Sequence, residues 1–139
     1  MKKTVFIINQ NKEEVREIHH AIMKITNKTE CFVYSNGITA LRRLYEVQQK
    51  PALIILDLQM PLVGSRDWLE LLKHEPSVAG IPVIVCSDRK AIETSKEPID
   101  RYAFDYFARP VPIHRLQKSL STILISGNAT SSSNGELSS

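Results

Sequence analysis

Five short apolar runs, each of strand length and rich in β-branched or aromatic residues, divide the chain: Thr4 to Ile8, Cys31 to Tyr34, Leu53 to Leu56, Pro82 to Cys86 and Phe104 to Phe107. The segments between them carry helical spacing. The clearest has Val15, Ile18, Ile22 and Ile25 on one face, with Asn11 and Glu14 placed as a capping box at its start. A second, Ile38 to Val47, starts from Asn36-Gly37, and a third runs from about Ser65 to His74 with Pro76 beyond its end. The last begins near Pro112 and sets Ile113, Leu116, Leu120 and Ile123 on one face, a proline being suited to a helix first turn. Between Asp88 and Ala103, Pro98 interrupts the pattern, so a short or broken helix is expected there. Strands that alternate with helices in this way call for a parallel sheet covered on both faces, a doubly wound α/β domain.

Size and composition agree with one such domain. A chain of 139 residues can bury a core without disulfides or metal staples, and 42% apolar with 24% charged residues is the balance of a soluble globular protein. The net charge of +3 is spread along the chain without a basic run or a nucleic-acid-binding module, so a solvated surface is expected and no nucleic-acid partner. Cys31 and Cys86 lie inside apolar runs, outside any CxxC or metal spacing, and read as buried free thiols. His19, His20, His74 and His114 show no metal-ligand pattern, and Trp68 stands at packing distance along its helix from Leu71 and Leu72. No signal peptide or membrane-length segment is present, which points to a cytoplasmic protein with no membrane partner. From Ser126 to Ser139 the sequence turns to Ser, Gly, Asn and Thr, so the expectation is a folded unit over 1–125 and a flexible tail over 126–139, without room for an output domain.

In an open parallel sheet the functional crevice lies beyond the carboxyl ends of the strands. The residues that follow the runs are Asn9 and Gln10, Asp57, Ser87 and Arg109: a carboxylate, a hydroxyl, a guanidinium and two amides. Any one of them is an ordinary polar strand end; together they form a polar ring.

Three stretches then carry a resemblance. Leu53-Ile54-Ile55-Leu56-Asp57-Leu58-Gln59-Met60-Pro61 resembles the phosphorylation-site strand of bacterial response regulator receiver domains. Ile81 to Ser87 is similar to that family's fourth strand, which ends in Ser or Thr, and Asp105-Tyr106-Phe107-Ala108-Arg109-Pro110 to its fifth, where Lys-Pro usually has a cis peptide bond. Asp57 precedes Ser87 by thirty residues and Ser87 precedes Arg109 by twenty-two, intervals that match the family.

The resemblance implies a flavodoxin-like sheet of order 2-1-3-4-5 and a phospho-acceptor signalling module of a phosphorelay rather than an enzyme. Asp57 is implied as acceptor from a histidine kinase or phosphotransfer protein, Ser87 and Arg109 as ligands of the phosphoryl oxygens, and Ser87 and Tyr106 as the switch pair. It also implies a Mg²⁺ held by Asp57, the Gln59 carbonyl and residues at the positions of Asn9 and Gln10, where the family has an acidic pair.

The departures bear on function. With amides at 9 and 10, and with Glu13 and Glu14 read as the first turn of a helix, Asp57 and Arg109 leave the pocket formally neutral, so Mg²⁺ binding is expected to be weak or absent. Arginine replaces lysine, and its planar guanidinium is expected to pair directly with Asp57. Pro61 to Ser65 lacks the usual Asp-Gly, Asp88 brings a new carboxylate to the rim, and Pro98 alters a face through which receivers bind partners. The expectation is a stand-alone, atypical receiver, monomeric or weakly dimeric, that is phosphorylated poorly or switches a downstream protein target without phosphorylation. The alternatives are a conventional relay protein in which Asn9 and Gln10 hold Mg²⁺, and, last, a small-molecule-binding flavodoxin-like domain, for which no glycine-rich phosphate loop follows the first strand.

Overall fold

A computed structural model describes residues 2–59 and 65–125; all but the last residue of the loop expected at Pro61 to Ser65, and the tail from Ser126, lie outside the described residues. The strands are β1 (Lys3–Ile8), β2 (Thr29–Tyr34), β3 (Leu53–Leu56), β4 (Val83–Ser87) and β5 (Asp105–Ala108), and the helices are α1 (Lys12–Ile25), α2 (Gly37–Glu46), α3 (Ser65–His74), α4 (Arg89–Thr94), α5 (Lys96–Tyr102) and α6 (Ile113–Leu124). The strands form one parallel sheet in the order β2-β1-β3-β4-β5, as the resemblance implies. β2 starts earlier than its apolar run because Thr29 pairs with Lys3. β4 starts later because Pro82 has no N–H to give, though its carbonyl still accepts from the Ile54 N–H at 3.0 Å.

Period-two alternation in the strands divides the core. Phe6, Ile8, Ile54, Leu56, Val83 and Val85 face the side covered by α2 and α3, where Ala40, Leu44, Trp68, Leu69 and Leu72 are buried. Val5, Ile7, Leu53, Ile55, Ile84 and Cys86 face the other side, under Ile18 and Ile22 of α1 and Leu116 and Leu120 of α6. Each such fully buried aliphatic side chain stabilises the fold by about 1.5–3 kcal/mol relative to exposure, so β1, β3 and β4 carry much of the core. Trp68 is fully buried, and its Nε1–H donates to the Gly37 carbonyl at 2.8 Å, joining α3 to the start of α2.

Local chemistry sets the helix starts. The Asn11 side chain accepts from the Glu14 N–H at 2.9 Å, and that of Asn36 from the Ile38 and Thr39 N–H groups at 2.8 and 3.1 Å. The capping box at Asn11 is only half made, since the Glu14 carboxylate bonds elsewhere. The connection containing Pro98 is a broken helix, with Ser95 between α4 and α5. Pro98 is the third residue of α5, inside the first turn, where a missing N–H costs nothing. Cys86 is buried as expected, but Cys31 is only half-buried because β2 is an edge strand.

Candidate functional site

The parallel ladder continues one residue past three strands. The Asn9 N–H donates to the Tyr34 carbonyl, the Asp57 N–H to that of Ile8 and the Arg109 N–H to that of Ser87, each at 2.9 Å. These bonds fix the backbone of the site residues on one edge of the sheet, where their side chains converge. Asp57 and Asn9 are buried, Ser87 is fully buried, and the Arg109 side chain is 22% exposed.

Asp57 is held at both oxygens. Its Oδ1 accepts from the Ser87 hydroxyl and from the Gln59 N–H, each at 3.0 Å, and Ser87 Oγ in turn accepts from the Leu58 N–H at 2.6 Å. Its Oδ2 lies 2.7 Å from Arg109 Nη2, the direct pairing expected of a guanidinium at this position. Arg109 does not stop there. Its Nε and Nη2 each donate at 2.7 Å to the two oxygens of Glu14, and its Nη1 donates to Gln59 Oε1 at 2.9 Å and Asp88 Oδ1 at 3.1 Å. A guanidinium has five N–H donors, and these five bonds use all of them. Hydrogen bonds to Glu14, then the bond to Asp57 and its charge, hold the guanidinium more firmly protonated than usual, against the opposing effect of burial.

Glu14 corrects the sequence reading. It stands in the first turn of α1 but is 8% exposed and faces the pocket, where Asn9 Nδ2 also donates to its Oε1 at 2.7 Å. With Glu14, Asp57 and Asp88 around one guanidinium, the pocket is net anionic and not neutral. Asp88 is turned to Arg109 and makes no side-chain cap bond to α4. A cleft of about 420 Å³ lined by Leu58, Gln59, Asp88, Lys90, Ala91, Thr94 and Ser95 opens beside the site. Tyr106 is 36% exposed, and its hydroxyl accepts from Lys96 Nζ at 3.0 Å. The Arg109–Pro110 peptide bond is cis.

The model of the response regulator receiver domain matches residues 5–121. The chain belongs to the response regulator receiver domain family. It is 28% identical over 88 residues to response regulator Rcp1 of Synechocystis sp., covering 60% of each protein, and 30% identical over 89 residues to an uncharacterized response regulatory protein of Shewanella oneidensis, covering 64% of this chain and 35% of that one. The receiver thus spans between about a third and three fifths of these curated relatives. Among solved structures, a phosphorylated cyanobacterial phytochrome response regulator, RcpA, superposes with a TM-score of 0.74 at 24% identity over 91% of this chain and 96% of that one. The Mn²⁺-bound form of Rcp1 gives a TM-score of 0.66 at 22% identity over 87% of this chain and 91% of that one. Receivers are two-component signalling modules that interact with histidine kinases or phosphotransfer proteins and with downstream targets. Among the described residues no helix is long and apolar enough to cross a membrane.

The divalent cation that the family implies does not fit this receiver's donor set. Asn9 Oδ1 accepts from the Asn11 N–H at 2.7 Å, while its Nδ2 points to Glu14. Gln10 turns its amide nitrogen, not its oxygen, toward the Gln59 carbonyl, at 3.4 Å. Asp57 is bonded at both oxygens, and among the described residues no group of three or more His, Cys, Asp or Glu is arranged to hold a metal. Mg²⁺ demands near-octahedral oxygen ligands and gives up water reluctantly, so it gains little from donors already committed.

Proposed function

We propose that this receiver is an atypical cytoplasmic signalling module that binds a separate protein target in a state set by its internal ion pairs, with Asp57 a poor phospho-acceptor. One observation carries this reading: every donor of Arg109 is already taken. An incoming phosphoryl group needs its charge neutralised at the transition state, and catalysis of its transfer is largely positioning and electrostatics. Here it must first displace a carboxylate from the guanidinium. Hydrogen bonds to charged groups contribute about 1.5–3 kcal/mol each, so displacing one or two raises the barrier by about 1.5–6 kcal/mol, or slows transfer by a factor of about 10 to 3 × 10⁴.

A conventional relay role has one observation in its favour: Ser87, Asp57 and Arg109 stand together at the sheet edge, a hydroxyl and a cation beside a candidate acceptor carboxylate. Incubation with acetyl phosphate, with and without Mg²⁺, followed by intact-mass measurement beside Asp57→Asn, separates the two. The proposed reading expects little or no added phosphoryl mass under conditions that label an ordinary receiver. Rapid Mg²⁺-dependent labelling lost in Asp57→Asn would establish the relay.

A further inference from the structure

The acceptor pocket contains a carboxylate that lies at no strand end, and Arg109 meets it with two bonds. We propose that Glu14 is the positioning residue that lays Arg109 across the pocket, so that the chain's own guanidinium takes the charge-neutralising place of a divalent cation. Resting on the reading of Arg109 given above, this adds the residue that sets which cation the pocket holds.

Four features support the assignment. Glu14 is almost fully buried, which a carboxylate tolerates only when paired, and its fork-to-fork contact with Nε and Nη2 at 2.7 Å fixes the plane of the guanidinium. Nη2 then bridges Glu14 and Asp57, spanning two carboxylates from different elements. Asn9 complements Glu14: its amide donates to Glu14 Oε1, whereas an aspartate at 9 would set a like charge there. Asn9 is itself held in place by the Asn11 N–H on its Oδ1 and by its backbone bond to Tyr34. The amide at 9, the glutamate at 14 and the arginine at 109 are therefore one mutually dependent set. A lysine at 109 could not replace the arginine, because an ammonium is a single point charge, while the planar fork reaches Glu14, Asp57, Gln59 and Asp88 at once. Shortening the cation to a point should leave Glu14 and Asp57 as free carboxylates for a hard divalent ion.

Mn²⁺ titration followed by the electron paramagnetic resonance of the free ion tests this on the wild type, Arg109→Lys and Arg109→Lys/Glu14→Gln. The wild type should show no saturable site at millimolar Mn²⁺. Arg109→Lys should gain one, at least about tenfold tighter than any wild-type binding, and Glu14→Gln in that background should lose the gain. A saturable one-to-one site in the wild type, no gain in Arg109→Lys, or a gain that Glu14→Gln leaves intact would each overturn the assignment. A second readout needs no change at Arg109: its Nε–H resonance should be protected from solvent exchange in the wild type and lose that protection in Glu14→Gln. Unchanged protection would refute a positioning role for Glu14. Both readouts are taken without a phosphodonor, and Glu14-dependent protection of the Nε–H would stand even if Asp57 proved a good acceptor, so failure of the functional reading and failure of this assignment are separable.

Discussion

Arg109→Met keeps much of the aliphatic stem of the side chain and removes its charge. In the wild type the guanidinium ties together Glu14, 8% exposed, and Asp57, 4% exposed. Without it Glu14 keeps only the Asn9 amide, and Asp57 Oδ2 loses its bond to the guanidinium while Oδ1 keeps Ser87 and the Gln59 N–H. Breaking a buried pair by removing one partner costs about 3–5 kcal/mol. Water reaches the partly exposed Arg109 site, which favours the lower end, about 3 kcal/mol. In urea, with a slope of about 1.5 kcal/mol per molar, the midpoint should fall by roughly 2 M. Glu14→Gln added to Arg109→Met removes one of the two facing charges, so the double variant should be more stable than the sum of the single changes by at least about 1 kcal/mol. Chemical denaturation of the four proteins in the cycle measures both quantities. A loss below about 1 kcal/mol, or additivity within about 0.5 kcal/mol, would show that the buried carboxylates do not depend on Arg109.

Trp68→Phe should lose about 1–3 kcal/mol, because the Gly37 carbonyl is left without its indole donor inside a packed core; thermal unfolding checks this, and an unchanged midpoint would contradict it. Burial, reinforced by Glu30, pushes the Cys31 thiol up to about 11, so at pH 8 its thiolate population should be about a hundredfold below that of a thiol at 9.0. Labelling by a thiol reagent should therefore be slow in the folded protein, faster as pH rises toward 11, and complete at both cysteines in urea; rapid labelling of Cys31 at pH 8 would refute the shift. Asn11→Ala should destabilise by about 1 kcal/mol through loss of its bond to the Glu14 N–H, read as a shift in the urea midpoint.

The features legible along the chain follow from short-range physics and from one property of parallel sheets. The apolar runs of β1, β3 and β4 have the composition of strands buried on both faces, and Asn11 and Asn36 start their helices through bonds reaching two or three residues along the chain. Parallel strands bring all their carboxyl ends to one edge, so Asn9, Asp57, Ser87 and Arg109 could be grouped without knowing their distances. Tyr106, and the switch role of Ser87, could be marked only by resemblance, and the Lys96 that bonds Tyr106 opens α5 just after the break at Ser95.

Tertiary structure alone decided the role of Glu14. Its position three residues after Asn11 has a sufficient local explanation as a helix cap, and nothing within the first turn says where its carboxylate points. That depends on α1 packing beside α6 against one face of the sheet, which carries the first turn over the ends of β1 and β5 and to a guanidinium ninety-five residues away. The same placement changed the charge of the pocket, since a count of strand-end residues omits a carboxylate supplied by a helix. A sequence reports charges along a line, whereas the electrostatics of a buried site depend on which charges the fold brings within about 3 Å and shields from water.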